Sequence, residues 1–171
     1  MLDVIFQREF MRKILMLGLS FFVFSCASPI AQGPKFSMHE KIGLNESLFY
    51  IYRPSSDDGG AVCLTLLIDE SERGCLSGAG YLKFKLKPGK YNMVLMPNAP
   101  LSYRLLESEV ILEEGKVHYV EYNTTTDPVP QNALDSRYFS FGVLSGHHIV
   151  VERPESEALN VLVTLAESIE I

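Results

Sequence analysis

The chain has no tryptophan, and only three cysteines and four histidines among its 171 residues. So few sulfur and imidazole donors leave little from which to build a metal centre, and neither a Cys-x-x-Cys pair nor a His-x-x-x-His spacing occurs. Basic charge is scarce as well: 15 Lys and Arg stand against 21 Asp and Glu, for a net charge of -6. An acidic chain without a basic stripe is repelled by phosphate backbones, so nucleic acid is not expected as a partner. Long apolar runs are missing after the first 25 residues, which excludes a later membrane-spanning helix. Phosphate-cradling loops are missing too, since Gly78-Ala79-Gly80 has no partner glycine or lysine at the needed distance. Gly142-Val-Leu-Ser145-Gly146 lacks the spacing of a nucleophile elbow. Asp57-Asp58 and Glu113-Glu114 fall in turns, where paired charges are ordinarily solvated, and carboxylates of a glycosidase are not recognisable from spacing alone. These gaps leave no coherent catalytic set. No enzyme activity, cofactor or metal is expected.

What is present is a globular composition, 47% hydrophobic with 21% charged residues, and a length suited to one domain with a real core. The first 25 residues read as an address. Arg12 and Lys13 precede an apolar run, Ile14 to Phe24, that is too short for a stable bilayer span but suits the core of an export signal. Met11 would place that basic pair at the very front, so a start at Met11, leaving out Met1–Phe10, stays open beside the start at Met1. Val23-Phe24-Ser25-Cys26 resembles the lipobox of bacterial lipoproteins, with an apolar residue three before the cysteine and a small one directly before it. Phe24 is bulkier than the family's usual middle residue. The resemblance implies that Cys26 is alkylated by diacylglycerol and becomes the first residue after cleavage. Several acyl chains, at about 0.8 kcal/mol per buried methylene, would then hold a soluble domain at a membrane. With Arg8, Arg12, Lys13, Asp3 and Glu9 removed, the remainder is still acidic. Ala27 and Ser28 follow the cysteine where Asp would favour the inner membrane, so the outer membrane, facing the periplasm, is expected.

Residues 26–43 carry Pro29, Gly33 and Pro34 without a sustained period, and read as a lipidated cysteine plus a flexible tether. From residue 44 the signal is mainly β. Ser47–Arg53 is aromatic and branched; 61–68 is a continuous apolar run; 69–74 is a polar turn. In Gly80–Lys87, Leu82, Phe84 and Leu86 alternate with Lys83, Lys85 and Lys87, the pattern of a strand with one face on a core. Further strands are expected over 91–96, 110–112, 117–122 and within 147–152, with 123–135 a loop. After Pro154, the residues Ala158, Val161, Leu162 and Leu165 follow helical spacing, which predicts a terminal helix over 154–168 rather than a final strand. The expected architecture is a small antiparallel β-sandwich, immunoglobulin-like or transthyretin-like, with a C-terminal α-helix, spanning 44–171.

Tyr50-Ile51-Tyr52-Arg53-Pro54, then Tyr81 before the strand closed by Pro88-Gly89-Lys90, then Gly115-Lys116-Val117-His118-Tyr119 and Glu157-Ala158-Leu159, follow one another in an order that resembles a bacterial lipoprotein domain, domain of unknown function 2846. Asp69-Glu70-Ser71-Glu72-Arg73-Gly74 departs from the Asp-Gly turn of that family. The resemblance implies an exported, lipid-anchored β domain and supplies neither a catalytic residue nor a ligand.

With Cys26 acylated, Cys63 and Cys75 remain, an even number suited to an oxidising compartment. A disulfide and two separate buried thiols both stay open. A four-residue turn at 70–73 would set Cys63 about 17 Å from the point opposite Cys75, beyond the usual bridging distance. Adjacent His147 and His148 point to opposite faces of a strand and read as structural. Tyr50, Tyr52, Tyr119 and Tyr122 are candidates for a binding surface, against the alternative that a sandwich core consumes them. The leading expectation is a membrane-anchored envelope lipoprotein whose sandwich mediates binding or assembly with an envelope protein. A small molecule or glycan in a tyrosine-lined groove comes second, and a hydrolase third.

Overall fold

The computed structural model describes residues 30–38, 40–54, 62–98, 103–141 and 143–170. Eleven strands and one helix occur among them, in the order β1 (Ser47–Arg53), β2 (Leu64–Ile68), β3 (Ser71–Leu76), β4 (Gly80–Leu86), β5 (Gly89–Pro97), β6 (Leu106–Leu112), β7 (Val117–Thr125), β8 (Ala133–Phe141), β9 (Leu144–Glu152), α1 (Glu155–Leu162), β10 (Ala166–Glu167) and β11 (Ile169–Glu170). Two sheets face each other, one ordered β10-β4-β1-β7-β9-β8 and the other β11-β3-β2-β5-β6. The β-sandwich with a C-terminal helix is therefore present. Most neighbouring pairs are antiparallel, but β1 runs parallel to β7 and β10 parallel to β4.

Period-two alternation builds the core. Phe49 and Ile51 of β1, Leu82 of β4, Val120 and Tyr122 of β7 and Val150 of β9 meet Leu64, Leu66, Ile68, Met93 and Leu95 of the second sheet. The outer face of the first sheet is covered as well. Leu48, Tyr50, Tyr52, Tyr81 and Tyr119 pack there against Ala158, Leu162 and Leu165, with Phe36, Ile42 and Leu159 at the margin. This third layer explains why every residue of β1 is buried. β1 lies mid-sheet with a sheet on one side and a helix on the other.

Several expectations need correction. The polar stretch 69–74 is not one long turn. Asp69 and Glu70 alone make it, at φ 49° and 62°, and Ser71 already pairs with Ile68. Two consecutive left-handed residues are the signature of a type I′ hairpin, usually written Asn-Gly or Asp-Gly. The Asp-Glu pair disguised it, so most of β3 was hidden in a polar sequence.

The helix stops at Leu162, short of the 154–168 expected, and the chain ends in two short strands, Ala166–Glu167 and Ile169–Glu170, where no final strand was expected. Leu165 still joins the predicted apolar cluster, but from the turn after the helix. β7 continues to Thr125, and β8 takes the last three residues of the expected loop over 123–135 and runs on to Phe141. Residues 30–36 are not a free tether either. Ile30 bridges Gly78, Lys35 bridges Ala166, and the Gly33 N–H donates to the Glu167 carbonyl at 3.0 Å. A Cβ on Gly33 would sit 2.5 Å from that carbonyl oxygen, so only glycine allows the approach. Cys26 and the residues expected to form the export signal lie outside the described residues.

Candidate functional site

The four tyrosines nominated as a binding surface do not form one. Tyr50, Tyr52, Tyr119 and Tyr122 are 3%, 0%, 5% and 3% exposed, which removes the tyrosine-lined groove. They also divide between two cores. Tyr50, Tyr52 and Tyr119 lie under the helix, Tyr50 stacked on Tyr119 at 5.5 Å, while Tyr122 points into the sandwich. Their residue types give no sign of this, because an aromatic suits a core and a binding face equally; only the helix layer decides it. Burial, with Glu40 and Glu167 adding to it, pushes the Tyr50 phenol up to about 12. Burial and then Glu155 do the same for Tyr119, also to about 12.

Three polar clusters hold the elements together. At the junction of helix and sheet, the buried Glu121 carboxylate accepts from the Tyr52 hydroxyl at 3.1 Å, from Arg153 Nε at 3.1 Å and from Asn123 Nδ2 at 3.2 Å. Arg153 also reaches Glu157 of α1 at 3.6 Å, which ties the helix start to β7. Within the sandwich, Tyr122 shares a 2.8 Å hydrogen bond with His148 Nδ1, and the Arg53 guanidinium lies over the Tyr122 ring while Arg53 Nη1 donates to the Val62 carbonyl. Burial, then Arg53 and Arg137, holds His148 below its ordinary range. At the far end, His118 Nε2 accepts from the Glu113 N–H at 3.0 Å, so Nδ1 carries the proton and donates to Glu152 at 2.9 Å. His118 and His148 face inward from neighbouring strands, and His147 stands on the opposite face from His148, edge-on to Tyr138. Each cluster is composed of groups that satisfy one another.

The cysteines are bridged: Cys63 and Cys75 form a disulfide with Cα atoms 5.6 Å apart. The tight turn places Cys75 opposite Thr65 rather than Ile68, which closes the gap that a longer turn would open. Among the described residues no group of three or more His, Cys, Asp and Glu is placed to hold a metal.

A cleft of about 300 Å³ runs along the seam where β6, at the edge of one sheet, meets β8, at the edge of the other. Arg104, Leu105, Leu106, Glu107, Asp135 and Arg137 line it. Arg104 is gripped by both oxygens of Glu70, at 2.7 and 2.8 Å, and by Glu107 at 3.0 Å. The Asp135 carboxylate accepts from the Glu107 N–H at 2.8 Å, and Arg137 donates to the Arg104 carbonyl while lying over the half-exposed Tyr103 ring. No single residue here carried a motif, and β8 itself was hidden, so the seam was not legible in the sequence. Comparison with known proteins adds no relative: no protein family, curated protein or solved structure matches this chain.

Proposed function

We propose that this chain is an exported lipoprotein of the bacterial cell envelope, held to a membrane by a lipid on Cys26, whose β-sandwich binds or assembles with an envelope protein. The observation that carries the reading is the Cys63–Cys75 disulfide. Structural disulfides persist in oxidising compartments and are rare in the cytosol, so a bridged pair agrees with the export signal and lipobox-like residues 12–26. The resemblance to the lipoprotein domain named above points the same way. For the binding surface, the β6–β8 seam supports a protein partner better than a small molecule. Its cleft is at the bottom of the volume range for ligand pockets, and its charged lining is already paired internally. The exposed Tyr103 with Arg104 and Arg137 at its mouth supplies the residue types enriched at protein interfaces.

Intact-mass and peptide analysis of protein purified from bacterial membranes tests the attachment. A diacylglyceryl group on Cys26 is expected, and Cys26→Ser should release the protein to soluble or uncleaved forms. A Cys26→Ser protein that still matures and partitions like an acylated one would overturn the reading. A photo-crosslinking amino acid at position 103 should capture an envelope protein in living cells where the same probe at Ile111, on the exposed outer side of β6, does not. Equal yields at the two positions would remove the seam from the proposal.

A further inference from the structure

The lipid and the folded body are separated by very little chain. Ile30 already pairs with Gly78, and the Ala31 N–H donates to the Gly78 carbonyl at 3.2 Å. Cys26 lies four residues earlier. Four residues reach at most about 14 Å even when fully extended. A headgroup layer takes up roughly 5–8 Å of that, which leaves less than the diameter of a single helix between Ile30 and the lipid surface. A body so attached cannot turn freely, and the end that carries Ile30 must lie against the bilayer.

The topology identifies what else lies at that end. β1 runs toward it, because Arg53 pairs with Gly80, two residues from Gly78. β7 runs parallel to β1 and continues past it to Thr125. β9 pairs with that extension through His147, so the turn joining β8 to β9 overhangs the same end. Val143 is at its tip and is 100% exposed; Ile30 is 62% exposed. The opposite end has a different chemistry. There the Asn45 and Gly115 amides join the turn before β1 to the β6–β7 turn, which presents the exposed acids Glu113 and Glu114. Anionic lipid repels such a surface.

We infer that the end of the sandwich bearing Ile30 and the Val143 hairpin tip is a membrane-contact surface, seated on the lipid bilayer to which Cys26 is anchored. The inference rests on the anchored reading proposed above. It sets the acidic end away from the lipid.

The test uses the full-length protein, purified with its lipid and reconstituted in vesicles of phosphatidylethanolamine and phosphatidylglycerol. A fluorescent non-natural amino acid is placed at position 143, or at 44 or 111 toward the other end, and a lipid-borne quencher is added. Quenching at 143 should be at least twofold greater than at 44 or 111. Insertion of twenty Gly and Ser residues between Ser28 and Pro29 should make the three positions alike. Mass analysis of the same sample separates the two levels of argument. Without lipid on Cys26, the anchored reading fails and takes this one with it. With lipid present and quenching equal at 143, 44 and 111 in the parent protein, the anchor stands and the seating is overturned. Preferential quenching at 143 that survives the insertion would overturn the argument from the short tether.

Discussion

His148 shows what burial does to one side chain. The unfolded chain binds a proton on this imidazole more readily than the folded one, because burial and then Arg53 and Arg137 disfavour the cation. Stability held at neutral pH is therefore lost as pH falls below the ordinary histidine range, about 6.5. His148→Gln should flatten the decline in denaturation midpoint between pH 7 and pH 5, and a decline as steep as that of the parent would assign the proton elsewhere. The tyrosines make a related point about legibility. The alternation Phe49, Tyr50, Ile51, Tyr52 correctly separates two faces of one strand, yet it does not say that both faces are covered. That fact belongs to a helix more than a hundred residues away in the chain, and no local pattern encodes it.

Individual elements were legible in proportion to how strictly their apolar residues alternate. β4 follows its Leu-Lys-Phe-Lys-Leu pattern: Leu82 is fully buried and the outward Lys83 and Lys85 ion-pair with Glu40. Depth within the strand was not legible, since Phe84 sits only partly buried at the margin of the core. Leu82→Ala should cost about 2–5 kcal/mol, Phe84→Ala less than a fully buried ring would, and Lys85→Ala under about 0.5 kcal/mol. Urea midpoints that place Phe84→Ala below Leu82→Ala would reverse the assignment. Of the residues that helical spacing selects, Ala158 and Leu162 are buried in α1, while Val161 is only half-buried and Leu165 follows the helix. Leu162→Asp forces a carboxylate against the ring layer, at a cost of several kcal/mol unless it is protonated or the helix detaches. It should open the helix to proteolysis, while the exposed Asn160→Asp should not; equal protection would mean the helix is not docked through Leu162. β8 escaped detection because its sequence, Ala133 to Phe141, intersperses Asp135, Ser136, Arg137 and Ser140. An edge strand with little burial carries almost no periodic signal.

At the scale of the whole molecule, stability comes from closures between distant parts of the chain. The Cys63–Cys75 bond spans 12 residues and ties the start of β2 to the end of β3. Replacing both cysteines by serine should lower stability by about 2–4 kcal/mol through the freed unfolded chain. A midpoint equal to that of the bridged protein would mean the bond is dispensable. The carboxyl-terminal segment makes the larger closure. β10 completes the first sheet on β4, β11 completes the second on β3, and the arm at residues 33–35 bonds to the same segment through Glu167, Ala166 and the carbonyl of Thr164. Lys35 and Thr164 are 129 residues apart in sequence. During synthesis, then, this part of the arm leaves the ribosome long before the segment that seats it exists. Until then the Gly33 N–H and the Pro34 carbonyl lack the Glu167 backbone groups that hold this arm in the finished fold.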